Sequence, residues 1–334
     1  MAATPSISVL FPFHNGADML RDALESLVAQ TWHDFEVVAI DDGSEDASPD
    51  IAADFAARDR RVRVVRSPRV GLVGALVAAC TVARGPFLAR MDADDVALPE
   101  RFARQMALLC EDPALAVCGS RVRVTGSSVG SGRRRYERWI NDVVTSEDIT
   151  QNLFIECPIP HPTFLMRRAA FESVGGYQDH GWPEDYDLLM RFFTAGMRMG
   201  KAAEELLEWR DRPGRLSMRD ARYSEAAFRA LKRHYLFQTY LREGRRFVQW
   251  GAGEVGKRWL RTWEARCPET VVDVHPRKIG RKIHGFSVIA PDELPSPGEV
   301  FVVVAVGARN ARAEIRAWLV SRGYEELRDF LFLA

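Results

Sequence analysis

The stretch GPFLARMDADDVALPER, residues 85–101, changes character twice. Phe87–Ala89 form an apolar run suited to a buried strand. Three carboxylates follow, Asp92, Asp94 and Asp95. Pro99 then opens a helix that carries Phe102, Met106 and Leu109 on one face. Acids crowded at a strand end repel one another unless a cation or a hydrogen-bonding ligand sits among them. The same arrangement occurs upstream, where FEVVAIDD (35–42) ends in Asp41 and Asp42. Strand and helix patterns alternate around these two segments. ISVLFPF (7–13) and VRVVRS (62–67) are strands, and ADMLRDALESLVAQ (17–30) places Leu20, Leu24, Leu27 and Val28 on one helical face. Ser48 followed by Pro49 starts a second helix, and VGLVGALVAACTVA (70–83) is a third. This order predicts an α/β fold, a mostly parallel sheet with helices on both sides. In such sheets ligands bind at the carboxyl ends of the strands, where both acid pairs fall. Hard carboxylate oxygens suit Mg²⁺ or Mn²⁺, which bind carboxylates together with substrate phosphates.

The 334 residues are 47% hydrophobic, and 46 Lys+Arg balance 46 Asp+Glu. A neutral chain offers no bulk attraction to nucleic acid or to an acidic membrane surface. The five cysteines, Cys80, Cys110, Cys118, Cys157 and Cys267, share no CxxC spacing, which argues against a disulfide framework or a zinc cluster. No signal-peptide pattern or membrane-length apolar run is found, so a cytoplasmic protein is expected, with peripheral attachment to the inner membrane face left open.

From about Cys110 to Tyr240 the pattern is less regular. ALAVCGSRVRVTG (114–126) reads as one or two strands. SSVGSGRRRYERW (127–139) reads as a mobile, solvated loop. DYDLLMRFFTAG (185–196) is a helix closed by Gly196, and residues 221–241 form a long amphipathic helix. A new strand–turn–helix pattern begins near Arg245. The domains expected are therefore 1–220, a linking helix over 221–244, and a small second α/β domain over 245–334.

The order SVLFPFHNG, VVAIDDGSEDAS, MDADDVALPERF, PEDYDLL resembles the family 2 glycosyltransferases of GT-A fold over roughly Ile7 to Ser217. The resemblance implies a Rossmann-like nucleotide-binding sheet and an inverting, metal-assisted transfer of a sugar from a nucleotide-diphosphate sugar, most often a UDP-sugar, to a hydroxyl of a glycan, glycolipid or other acceptor. It implies that Asp42 binds the nucleotide base and that Pro12 and Asn15 line the nucleotide pocket. Asp94 would be the direct metal ligand, with Asp92 nearer the ribose and also a metal ligand. Asp185 would be the catalytic base. A carboxylate at a helix N-terminus stays ionised, as a base should, and capping the helix is compatible with that role. Glu184 beside it, His161 and Trp209 would lie on the acceptor side. Arg212 and Arg215 would face the diphosphate, a chemistry that guanidinium suits. Arg212 replaces the histidine usual in that loop, so no metal ligand is carried over there. Asp95 is read as pinning the turn before Pro99.

In the last domain GAGEVG (Gly251, Gly253, Gly256) follows a strand and opens a helix, and Asp273 ends the next strand. This resembles the small Rossmann-like domains fused to sugar-modifying enzymes, and implies a nucleotide or dinucleotide site there. Packing or homodimerisation is the plainer use of the same motif. Two rival readings follow: an NAD(P)-dependent nucleotide-sugar oxidoreductase, and a non-catalytic nucleotide-binding module.

Overall fold

The structure, a computed structural model, describes residues 4–126, 129–212, 214–242, 244–308 and 310–334. Contacts divide it into two compact units. One comprises Met1–Ile149, Pro158–His180 and Glu184–Arg219; the other comprises Thr150–Cys157, Gly181–Pro183 and Asp220–Ala334. The amphipathic helix thus groups with the second unit, together with two short segments from the middle of the chain.

The first unit opens with β1 (Ile7–Phe13), α1 (Ala17–Val28), β2 (Phe35–Asp42), α2 (Ser48–Arg58), β3 (Val62–Ser67), α3 (Gly71–Val82) and β4 (Phe87–Arg90). β5 (Val96–Ala97), α4 (Arg101–Glu111), β6 (Leu115–Thr125), α5 (Ser131–Asp142) and α6 (Ser146–Asn152) follow. β7 (Leu165–Arg167), α7 (Arg168–Ser173), α8 (Glu184–Thr194) and β8 (Arg198–Arg210) complete it. The sheet runs β3-β2-β1-β4-β7-β6-β8-β5. Its first four strands are parallel. β7 pairs antiparallel with β4 and β6, and β6 runs parallel to β8. β1 and β2 are buried along their whole length, as strands covered on both faces must be. Leu20, Leu24 and Leu27 of α1 join Phe35, Phe102 and Leu109 in the core.

One expectation changes and another is narrowed. The segment read as a mobile loop holds α5, while Ser127 and Ser128 lie outside the described residues. Tyr136, Trp139 and Ile140 recur at helical spacing; Ile140 is buried and the two rings pack on the core. Residues 115–125 form one long strand, with irregular register against β8.

The second unit carries α9 (Glu225–Gln238), β9 (Phe247–Trp250), α10 (Glu254–Leu260), β10 (Val271–Val272), β11 (Lys282–Ile283), β12 (Phe286–Ile289), β13 (Phe301–Val304), α11 (Ala311–Ser321) and β14 (Phe330–Phe332). Its sheet order is β11-β12-β10-β9-β13-β14, parallel from β12 to β14. α9 turns Leu231, Tyr235 and Leu236 inward, and its buried Lys232 donates to the carbonyls of Ile155 and Leu333 at 2.6 and 3.2 Å. Among the described residues no helix is long and apolar enough to cross a membrane.

The turn after β9 is built on close backbone approach. Gly251 has φ +116°, and a Cβ there would lie 2.6 Å from the Ala305 carbonyl oxygen. A Cβ on Gly256 would lie 2.0 Å from the Gly251 carbonyl oxygen. Gly256→Ala is therefore expected to destabilise the second unit by about 1–3 kcal/mol, as overpacking does. Thermal melts of the full chain check this; an unchanged melt would mean that the turn is not so tight.

Candidate functional site

The carboxyl ends of β2, β1 and β4 lie side by side, with Phe13 opposite Asp41 and Leu10 opposite Arg90. Asp42 ends β2, and the 92–95 turn follows β4 two strands away, roughly 10 Å across the sheet. Asp92, Asp94 and Asp95 each present a carboxylate oxygen within 4.8 Å of the others. Asp95 is fully buried; its Oδ1 accepts the Arg210 amide at 2.9 Å, while its Oδ2 has no hydrogen-bond partner. Burial, then the charges of Asp92 and Asp94, hold Asp95 well above the usual carboxylate range. Three converging carboxylates, one of them buried with an orphaned oxygen, fit a divalent cation. Asp95 pins the end of β8, and not the Pro99 turn that its position in the sequence suggested.

Cations already stand against this turn. Arg90, 1% exposed, lies 2.6 Å from Asp92 Oδ1. Burial opposes its charge, and Asp92, Tyr177 and Glu184 together more than offset that. Arg101 is buried below, donating to the Arg90 carbonyl at 2.7 Å and to Gln105; burial and Arg90 push it down to about 9. Arg212 Nε donates to Asp94 Oδ2 at 3.0 Å. Sequence reasoning placed Arg212 beside a diphosphate; here it lies on the expected metal ligand.

On the nucleotide side, Asp42 is 4% exposed, and its two oxygens accept the amides of Val70 and Gly71 at 2.6 and 3.0 Å. It fixes the start of α3, with second lone pairs still free on both oxygens. Asn15 holds the facing loop, its Oδ1 accepting from Glu45 and Asp46. Pro12 is buried in β1 opposite Ile40.

Glu184 and Asp185 open α8. The Glu184 carboxylate, 1% exposed, lies 3.5 Å from His161 Nδ1, and His161 Nε2 meets the Tyr177 hydroxyl at 2.8 Å. Asp185 keeps some open surface, but protein surrounds most of its carboxyl. This desolvation, then the adjacent Glu184 charge, pushes it up to about 6, and His161 pulls the other way. Arg90 feels both Asp92 and Glu184. That buried arginine links the acid turn to the α8 side, and sequence reasoning missed it. Its one signal was a cation closing the apolar strand FLAR.

Trp209, near the end of β8, is covered by two guanidinium groups, Arg133 at 4.1 Å and Arg215 at 5.0 Å from the ring centre. Both arginines lie 3.6 Å from Asp211. Arg133 comes from α5 and also covers Tyr136. Sequence reasoning weighed its basic run as a grip for an anionic acceptor and preferred a solvated loop. In the second unit Gly251, Gly253, Gly256 and Asp273 line one cavity.

The profile of glycosyl transferase family 2 matches residues 8–175. The protein named as glycosyltransferase EpsE of Bacillus subtilis (strain 168) is 27% identical over 229 residues, 67% of this chain and 80% of its own length. Among solved structures, S. aureus TarS 1-349 in complex with UDP-GlcNAc aligns with a TM-score of 0.54 at 18% identity, over 70% of this chain. The mannosyltransferase PcManGT from Pyrobaculum calidifontis, in complex with GDP-Man and Mn²⁺, aligns with a TM-score of 0.50 at 19% identity, over 71% of this chain. The matches span 66% and 63% of those two solved chains, so the likeness is one of fold. A GT-A sheet with its acid turn at the strand ends, and a family profile covering half the chain, give one conclusion: this chain is a glycosyltransferase and belongs to glycosyl transferase family 2.

Proposed function

We propose that this glycosyltransferase moves a sugar from a nucleotide-diphosphate sugar, a UDP-sugar first, to a hydroxyl of a glycan or lipid-linked acceptor, with inversion and with Asp185 as base. The observation that carries the reading is the state of Asp185: a desolvated carboxyl on the same unit as the acid turn, its affinity for a proton raised by Glu184. A base works best when its pKa lies near the working pH. The acceptor oxygen attacks the anomeric carbon while Asp185 takes its proton, and the diphosphate departs on the opposite side. A divalent cation on Asp94 and Asp92 would supply charge neutralisation for that leaving group. Arg212, on Asp94, and Arg215, over Trp209, are the proposed partners of the phosphate oxygens, and Asp42 is the proposed partner of the base. Glu184 and His161 set the charge around Asp185, and Trp209 backs the acceptor side.

Asp185→Asn is expected to lower kcat by about 10²–10⁴-fold, with UDP affinity changed only a few-fold. Parent-rate transfer by this variant in a nucleotide-sugar panel of UDP-sugars and GDP-mannose would refute the base assignment. The pH profile adds a signed test. Only the ionised carboxylate accepts a proton, so kcat/KM falls below about pH 6. Glu184→Gln removes the charge that raises this pKa and moves the acid limb to lower pH. His161→Gln removes the group that pulls the other way and moves the limb to higher pH. Tyr177, which also feels Asp185, is retained in both variants.

The metal assignment is read by calorimetry. Mn²⁺ should bind the full chain with UDP present, and Asp94→Asn should weaken it at least tenfold. Equal affinity in the variant would move the site elsewhere.

A further inference from the structure

A cavity of about 720 Å³ opens in the second unit, within the range of small-molecule sites. It lies at the carboxyl ends of β9, β10 and β13. β9 is central, β10 lies to one side and β13 to the other, so the crevice sits where the strand order reverses. Trp250, Val306, Ile315 and Trp318 give it apolar walls, with the two indoles edge to face at 5.0 Å.

The glycines of the turn separate by cause. Gly251 and Gly256 are required by backbone contact, as described above. Gly307 is required as well, because its Cβ would lie 2.7 Å from Val255 Cγ2. Gly253 is different. Its φ of −80° and ψ of −164° suit any residue, and a Cβ there would meet nothing within 4 Å. Protein packing does not call for a glycine at 253, yet the residue lines the cavity. A bare backbone there leaves room for a ligand to approach the chain closely.

The polar groups define that ligand. Asp273 Oδ2 accepts both the Ala252 amide and Lys278 Nζ, each at 2.9 Å. Two donors on one oxygen bring the ammonium beside the bare turn. Lys278 is 27% exposed along its side chain and has donors to spare. Asp273 Oδ1 accepts only the His275 amide among these contacts, at 2.8 Å, and so keeps a lone pair suited to a ribose hydroxyl. Glu254 and Glu314 also line the cavity. Their charges oppose any ligand with more phosphate than one ammonium and the turn can match.

We propose that this cavity is a second nucleotide site, separate from the acid turn and independent of metal. It takes a nucleoside diphosphate whose far end carries an uncharged or cationic group, as in a nucleotide sugar or a dinucleotide.

Calorimetry on the full chain in EDTA tests this, with UDP-glucose, NAD⁺ and ATP as separate probes. UDP-glucose or NAD⁺ is expected to bind, and which of them binds identifies the source of the diphosphate. Gly253→Val fills the bare turn, and Lys278→Ala removes the cation. Each should weaken binding roughly tenfold or more, the cost of a lost charged contact. Asp94→Asn should leave binding unchanged. Melts of the unliganded variants check folding; if Gly253→Val is not folded, the partly exposed Lys278 position decides. The proposal is overturned if neither probe binds in EDTA, if binding survives the folded variants, if it is lost in Asp94→Asn, or if ATP binds more tightly than both.

Discussion

Three carboxylates within 4.8 Å of one another, one of them fully buried, are the constraint around which the first unit is arranged. Like charges at such spacing destabilise a fold unless they are neutralised or hydrogen-bonded. The chain answers from each side. Arg90 stands against Asp92 inside the protein, with Arg101 braced beneath it on the Arg90 carbonyl. The Arg210 amide meets Asp95 and the Arg212 guanidinium meets Asp94. A buried arginine is costly by itself, and a buried carboxylate equally so. Here Arg90 is met by Asp92 and Asp95 by the Arg210 amide.

The two units solve a similar problem with different materials. Both gather polar groups at the carboxyl ends of parallel strands. The first collects carboxylates there and holds them with arginines. The second brings backbone very close to backbone, and keeps a single acid–ammonium pair, Asp273 with Lys278.

Much of this was legible in the sequence. The apolar runs of β1 and β2, doubly buried, allowed only a parallel interior, and the acids at their ends could only lie at one edge of the sheet. What could not be read has physical reasons. Arg133 sits in a segment whose glycines, serines and arginines suggest a solvated loop. Its order comes from Tyr136, Trp139 and Ile140, three apolar residues whose helical spacing is obvious only once the core they meet is known. The binding of Asp42 to the amides of Val70 and Gly71 is a contact across the sheet, and local pattern does not reveal such contacts. The grouping of Thr150–Cys157 and Gly181–Pro183 with the second unit depends wholly on tertiary contacts.

The loop that leaves β8 is held at two points by one acidic turn: the Arg210 amide on Asp95 and, two residues on, the Arg212 side chain on Asp94. A cation entering at Asp94 competes with the second hold and leaves the first in place. In a thermodynamic cycle, the free energy by which the cation loosens Arg212 equals the free energy by which Arg212 weakens the cation. The Arg212–Asp94 contact and the metal affinity proposed for the turn would therefore be one coupling measured from two ends. A substitution that removes the Arg212 side chain would strengthen the proposed metal site without touching a ligand.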